Sequence, residues 1–192
     1  MENNASANSS NGQNDFHEQK RESFETREAI KKNKHLIFKL HEERFGIPLL
    51  LVKEVIALTS ITAIPHVPEF FKGLINLRGK IISVIDMRSK FILPITVYDP
   101  RKTCIIISEV KDFTLGMVVD DVLEVAGFES HQIENNINID SETGNQCIVG
   151  VAKTTDKKLT LLVDLEKALD IDVLKKLREK IDSSGMNRMN VL

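Results

Sequence analysis

Short apolar segments separated by short polar turns are the feature that most limits how this chain can fold. Six segments are rich in Ile, Val, Leu and Phe, which favour β-strands: HLIFKL, RFGIPLLLV, KIISVIDM, CIIISEV, FTLGMVV and LTLLVDL. The turns between them, such as HEER, DPRKT, EVKD and TTDKK, are too short for the helical crossover of a βαβ unit. We therefore predict a mainly β fold, a barrel or a sandwich, in which most strands pair antiparallel.

An internal repeat narrows this choice. The segment FGIPLLLVKEVIAL matches LGMVVDDVLEVAGF, and the matched pairs are each 70 residues apart: Gly46 and Gly116, Val52 and Val122, Glu54 and Glu124, Val55 and Val125. Farther along, SVIDMRSKF matches LLVDLEKAL, where Asp86 and Asp164 are 78 residues apart, so the second copy contains a longer loop. Four matches at one offset favour duplication over chance. We predict two small β-barrels side by side, with each glycine allowing a bend in its strand.

Helical signals are few. VPEFFKG is typical of one helical turn, and DLEKALD predicts a short helix with Asp164 as its N-cap. Near the end, Val173, Leu174, Leu177 and Ile181 form the apolar stripe of a short amphipathic helix. We predict three regions: an N-terminal extension over residues 1–34, disordered or loosely helical; a globular domain over residues 35–172; and a C-terminal helix with a tail over residues 173–192.

Composition limits the class of protein. The formal net charge is −2, so no strong field attracts nucleic acid or an anionic membrane. There is no Trp and a single tyrosine, Tyr98, which weakens the interpretation as an oligonucleotide-binding barrel. The N-terminus lacks the pattern of a signal peptide, and no apolar run is long enough to span a membrane. We predict a cytoplasmic protein in which Cys104 and Cys147 are buried free thiols.

Motifs for catalysis and cofactor binding are missing from the sequence. None of the five histidines pairs with another residue at metal-ligand spacing, and there is no phosphate-binding glycine loop or nucleophile elbow. Asp120 and Asp121 could suggest magnesium, but an aspartate pair at a strand end is more often part of a turn or cap. We predict no catalytic residue, no cofactor and no metal.

The segment GLINLRGKIISVIDM contains an arginine within an almost wholly apolar run. We predict two strands joined by a bend at residues 76–79, with Gly79 able to adopt a positive φ. Arg78 would then lie at the rim of a hairpin. One interpretation is a solvated turn residue; the other is a cation at a partner interface, because its surroundings are apolar.

The string FKGLINLRGKIISVIDMRSKF, followed by LGMVVDDVLEV and LLVDLEKAL, resembles the CheW-like family of bacterial chemotaxis coupling proteins. The resemblance implies two intertwined five-stranded SH3-like β-barrels and no catalytic activity. It also implies two partners, the tip of a chemoreceptor's coiled-coil hairpin and the regulatory domain of the histidine kinase CheA. In the family, a groove between the barrels binds the receptor and one barrel binds the kinase.

The resemblance further implies a set of partner-binding residues in the first half of the chain. Glu54 and Arg78 correspond to a glutamate and an arginine that lie close together in the family and matter for partner binding. We predict that the two side chains form a polar pair at the rim of an interface. Val52, Lys72 and Gly73 match positions on the same face of the first barrel.

In the second half, Val122 and Val125 match apolar positions of the receptor groove. The alternative is that both valines belong to the interior core. The sequence departs from the family pattern in its longer N-terminal extension and at VVDDV, where the second aspartate replaces a common glycine.

The expected function is therefore a non-catalytic adaptor, monomeric when free, that joins receptors to the kinase in arrays at the inner face of the membrane. It neither inserts into the membrane nor binds nucleic acid. Two alternatives stay open: a phosphatase-like regulator of the same pathway, and a coupling protein of a chemosensory system that does not control flagella.

Overall fold

The computed structural model describes residues 33–94, 96–135, 147–154 and 158–183. These residues form eleven strands: β1 (Lys34–Leu40), β2 (Glu43–Pro48), β3 (Val52–Ala57), β4 (Phe71–Leu77), β5 (Lys80–Asp86), β6 (Cys104–Val110), β7 (Phe113–Val119), β8 (Asp121–Gly127), β9 (Ile133–Glu134), β10 (Ile148–Lys153) and β11 (Leu159–Val163). The helices are α1 (Met87–Lys90), α2 (Leu165–Leu169) and α3 (Ile171–Ser183). Most of the predicted N-terminal extension, and residues 184–192, lie outside the described residues.

The strands form two sheets. One has the order β8-β1-β2-β11-β10-β9 and the other β3-β6-β7-β5-β4. Neighbours pair antiparallel except for β2 with β11 and β5 with β7, which are parallel. The six-stranded sheet takes β1 and β2 from the first repeat, and the five-stranded sheet takes β6 and β7 from the second. Each repeat therefore contributes to both sheets, which confirms the predicted intertwined arrangement.

The two sheets reproduce the repeat in their pairing. The equivalent pairs are Ile37–Gly46 and Ile107–Gly116 on the antiparallel side, and Leu162–Gly46 and Val84–Gly116 on the parallel side. A Cβ on Gly46 would lie 3.1 Å from the Ile37 Cδ1 atom, and one on Gly116 would lie 2.8 Å from the Ile105 Cγ2 atom. Glycine is needed at both positions because side chains of neighbouring strands pack directly over it. This reason differs from the predicted one, which was a bend in the strand.

Each sheet curls around a small cluster of its own. In the five-stranded sheet, the two edge strands contribute Ile56 and Ile75 to the same interior cluster, which shows that the sheet closes into a barrel. In the six-stranded sheet, Ile37, Ala152 and Leu162 form the corresponding interior. We call these structures the five-stranded barrel and the six-stranded barrel.

The largest apolar cluster lies between the barrels. On β1, Leu36, Phe38 and Leu40 belong to this shared core, whereas Ile37 between them faces the interior of the six-stranded barrel. Met117 and its alternate neighbours on β7 belong to the same shared core. Both faces of these central strands are thus buried, which explains why their sequences are continuous apolar runs instead of alternating ones.

The C-terminal helix belongs to this architecture. Leu174 of α3 is 1% exposed and lies in the shared core. The guanidinium of Arg178 donates a hydrogen bond of 2.6 Å to the carbonyl oxygen of Ile81, at the start of β5. The ammonium of Lys175 donates to the carbonyl oxygen of Lys111 at 3.2 Å. The predicted helix is confirmed, and it begins at Ile171.

Two local predictions need correction. The segment VPEFFKG contains no helix: Phe71 N donates to Pro68 O at 2.9 Å in an isolated turn, and β4 begins at once. The aromatic residues are needed in the strand, because Phe71 is 3% exposed in the shared core. Both cysteines are free as predicted, but only Cys147 is buried, whereas Cys104 is half-buried at the start of β6.

Candidate functional site

The Arg78 side chain is presented by a tight hairpin. Leu77 pairs with Lys80, which leaves Arg78 and Gly79 as a two-residue turn with φ of 53° and 83°. Positive φ at both central residues is typical of a type I′ turn, the form that suits the twist of a hairpin. Asn76 stabilises the turn, because its Oδ1 atom accepts a hydrogen bond of 2.8 Å from Gly79 N. The predicted bend is confirmed.

The guanidinium of Arg78 holds Glu54 in a two-pronged pair. Its Nη1 and Nη2 atoms donate to the two carboxylate oxygens of Glu54 at 3.1 and 2.8 Å. The Arg78 side chain is 77% exposed and that of Glu54 28% exposed. The predicted pairing is confirmed, and such an exposed pair adds only ~0.2–1 kcal/mol to stability.

The pair also joins the two edges of the five-stranded barrel. Glu54 lies on β3 and Arg78 directly follows β4, which are the two edge strands of that sheet. Beneath the pair is a depression of about 360 Å³ whose floor includes Leu77, Ile82 and Ile107. We call this depression the mouth of the five-stranded barrel. A second ion pair, Lys53 to Glu109 at 3.1 Å, lies on its rim.

Lys72 and Gly73 lie at the opposite end of the same hairpin from Arg78. The Lys72 ammonium is 3.2 Å from the Asp86 carboxylate, so it neutralises a charge that is only 1% exposed. Gly73 has φ of 140°, and a Cβ there would lie 2.1 Å from the Thr62 carbonyl oxygen. This contact brings residue 62 against the outer edge of β4, where Thr62 and Leu74 exchange backbone hydrogen bonds. Lys72 and Gly73 therefore stabilise the fold at the end of the hairpin away from the Glu54–Arg78 pair.

A buried polar network surrounds Asp86. Its carboxylate accepts hydrogen bonds from Arg88 N at 2.9 Å and from the hydroxyl of Tyr98 at 2.6 Å. Burial, and then the hydrogen bond to Asp86, raise the pKa of Tyr98. The Arg88 side chain forms an ion pair with Asp120 at 2.5 Å. Sequence reasoning missed this network, because its contacts depend on the tertiary fold.

The three valines of the predicted site occupy two strands. Val52 begins β3 and Val122 lies near the start of β8, and each packs partly against the shared core. Val125 is 49% exposed on β8, an edge strand of the six-stranded barrel. The alternative that both valines of β8 are interior core is therefore wrong for Val125. The predicted set falls into four places: the mouth, the start of β3 at Val52, the Asp86 end of the hairpin, and the edge strand β8.

A second arginine–glutamate pair was not predicted. Glu124, the equivalent of Glu54, forms an ion pair and hydrogen bond with Arg44 of β2. The Arg44 side chain is 18% exposed, far less than that of Arg78. The 70-residue offset was the available signal for Glu124. The same offset gave no signal for Arg44, because the residue 70 positions later is Thr114.

Asp120, the first residue of the aspartate pair at residues 120 and 121, has a structural explanation. The Oδ2 atom of Asp120 accepts a hydrogen bond of 2.6 Å from His41 N, in the turn between β1 and β2. Among residues 33–94, 96–135, 147–154 and 158–183, no three His, Cys, Asp or Glu side chains are grouped so as to hold a metal ion. No helix in the same ranges is both long and apolar enough to cross a membrane.

This two-barrel geometry has known relatives. The CheW-like domain family matches residues 34–172. The chemotaxis protein CheW of Klebsiella aerogenes is 34% identical over 134 residues, which cover 70% of this chain and 80% of that protein. For CheW of Thermotoga maritima the identity is 30% over 143 residues, or 74% and 91% of the two chains. The crystal structure of the scaffolding protein TtCheW from Thermoanaerobacter tengcongensis gives a TM-score of 0.62 at 37% identity, covering 70% of this chain and 90% of that one. The chain belongs to the CheW-like domain family.

Proposed function

We propose that this chain is a non-catalytic adaptor that couples chemoreceptors to the histidine kinase CheA in bacterial chemotaxis signalling. Family membership and the scaffolding role named for the similar crystal structure support the general function. The observation that carries the proposal is the Glu54–Arg78 pair. A tight turn holds it at the rim of a depression that Leu77, Ile82 and Ile107 line from below, where it adds little to stability and is available to a partner.

Two surfaces serve the two partners. The kinase regulatory domain docks on the five-stranded barrel, against Val52 and the Glu54–Arg78 pair. The receptor hairpin tip docks in a groove beside β8, where Val125 supplies exposed apolar surface. Val122 supports this groove from the shared core. Lys72 and Gly73 act on binding indirectly, by fixing the β4–β5 hairpin that carries Arg78.

The adaptor acts in the cytoplasm, at receptor arrays on the inner face of the membrane, and is monomeric when free. A phosphatase-like regulator is the competing function. It requires acid and base groups gathered at one site. The buried carboxylate of Asp86 is occupied by Lys72 and Tyr98, which favours a structural task for that cluster. Phosphate release from a phosphorylated response regulator by the purified chain alone would support the enzyme instead.

The direct test is reconstitution. A receptor cytoplasmic fragment with the hairpin tip, immobilised on beads, should retain the kinase only when this chain is present. Arg78→Ala should weaken kinase binding at least tenfold, because an unpaired Glu54 buried at an interface costs ~2–5 kcal/mol. Its melting temperature should barely change. Val125→Asp should weaken receptor binding and spare kinase binding, because Val125 lies on the proposed receptor surface. The variant should still fold, since the side chain is half-exposed.

A double-mutant cycle on Glu54 and Arg78 sharpens this test. If the pair acts as a unit in the complex, the effects of Glu54→Ala and Arg78→Ala on kinase affinity should be strongly non-additive. Additive losses would show that each residue contacts the partner separately. If Arg78→Ala binds the kinase with wild-type affinity, Arg78 is a solvated turn residue and not part of the interface.

A further inference from the structure

The mouth of the five-stranded barrel has the size and lining of a socket for a side chain. Its volume of about 360 Å³ is near the lower end of the ~300–1,000 Å³ typical of ligand pockets. The floor residues Ile82 and Ile107 also belong to the barrel interior, so the floor is continuous with a packed apolar cluster. Thr114 of β7 lines the same depression from one side.

The rim of the mouth carries one positive charge in excess. Lys53 is neutralised by Glu109 at 3.1 Å, and Arg78 by Glu54 at 2.8 Å. Lys80, which is exposed and follows the turn, has no carboxylate at ion-pair distance within the described part of the chain. A partner that covers this rim therefore needs one compensating carboxylate near Lys80, because an unpaired charge is costly once water is excluded.

The Glu54–Arg78 pair can adapt to such a partner. The Arg78 side chain is 77% exposed, and within the described part of the chain its turn and Glu54 hold it. A guanidinium has five donors in a planar fork, so it can keep Glu54 on one edge and bind a partner's acceptor on another. The pair can therefore stay in place at the mouth while Arg78 also binds a partner.

We infer that the mouth receives one bulky apolar side chain of the partner, next to a partner carboxylate that binds Lys80. This inference rests on the proposed function, since it describes the chemistry of the partner segment that docks on the five-stranded barrel. The apolar floor selects the first group, and the excess positive charge on the rim selects the second.

The experiment measures binding of the isolated kinase regulatory domain to the full-length chain by titration calorimetry. Thr114→Phe fills the mouth, and Thr114→Val is its matched control, because it keeps the volume of threonine. Lys80→Glu reverses the rim charge, and Lys80→Gln only removes it. We expect Thr114→Phe to weaken binding at least tenfold and Thr114→Val less than twofold. Lys80→Glu should weaken binding at least threefold more than Lys80→Gln.

A receptor hairpin-tip fragment, titrated into the same variants, separates failure of the socket from failure of the adaptor function. If the wild-type chain binds neither the kinase domain nor the receptor fragment, the adaptor function itself fails. If it binds both, but Thr114→Phe binds the kinase domain as well as Thr114→Val does, the mouth is not a socket. If Thr114→Phe does not fold, the test rests on the two Lys80 variants. Equal kinase affinities of Lys80→Glu and Lys80→Gln then overturn the inference.

Discussion

Asp86 and Asp164 occupy the same place in the two halves of the chain, between a barrel strand and a short helix. Each accepts hydrogen bonds from two backbone N–H groups of the helix that follows. Asp86 is 1% exposed and also binds Lys72 and Tyr98, whereas Asp164 is 31% exposed and lies 3.8 Å from Lys167. The capping function is common to both halves, and among the described residues only Asp86 has a buried network of this kind.

The difference follows from what each aspartate has to hold. After Asp86, the chain must cross from the first repeat to the second through the loop between α1 and β6. Tyr98 ties this loop to Asp86, and Arg88 ties it through the backbone and side chain of Thr96. After Asp164, the chain continues into α2 and α3, which bury Leu165, Leu169 and Leu174. Hydrogen bonds from Lys175 and Arg178 also hold α3. The two halves therefore differ at the point where the first must connect to the second.

The largest effect expected from this comparison concerns Gly73 and Gly150, which are equivalent positions in β4 and β10. Gly73→Ala should destabilise the protein by more than about 4 kcal/mol, because the new Cβ meets a backbone carbonyl at a positive φ. Gly150→Ala should cost only about 1–2 kcal/mol, because its nearest contact, at 2.9 Å, is the movable side chain of Asn135. Urea unfolding measures both.

Gly73→Ala also tests whether this glycine contacts a partner. A variant with wild-type stability but no kinase binding would contradict the architectural explanation. It would place Gly73 directly in the interface.

A smaller difference is expected between the two aspartates. Asp86→Ala should cost about 3–4 kcal/mol, because it leaves Lys72 and Tyr98 without their buried partner. Asp164→Ala should cost about 1 kcal/mol, the usual value of an N-cap. Chemical unfolding at neutral pH provides the comparison. Equal losses would show that capping is the main contribution at both sites and that the network adds little.

Much of this architecture could be predicted from local sequence. The short apolar runs indicated the strands, and the constant offset indicated equivalent positions that the structure pairs in the same register. The Glu54–Arg78 contact could be predicted only with the family resemblance, because the residues lie on opposite edges of a sheet.

Contacts set by the crossing loop were beyond the sequence. Nothing local places Tyr98 against Asp86 or Arg88 against Asp120, since each contact joins segments that only the tertiary fold brings together. For the same reason, the sequence does not indicate that the Lys72 ammonium neutralises a buried carboxylate. The helical turn predicted at VPEFFKG is absent because burial of Phe71 in the shared core outweighs local propensity.

The smallest expected effect is a contribution of the six-stranded barrel to the pH dependence of stability. His35 and Ile105 are equivalent, 70 residues apart, and the His35 ring lies 5.6 Å from that of Phe128. Burial lowers the pKa of His35, and a hydrogen bond with the backbone of Asn33 opposes this only in part. The folded protein therefore binds fewer protons than the unfolded chain, so stability is lost as the pH falls below the unfolded pKa of about 6.5.

Replacing His35 by the residue of the other barrel should flatten this dependence. His35→Ile should reduce the loss of stability between pH 7 and 5 by less than about 1 kcal/mol, because the ring is only half-buried. Urea unfolding at the two pH values measures the loss in each variant. Identical slopes in His35→Ile and the wild-type chain would show that His35 titrates in the folded barrel as it does in water.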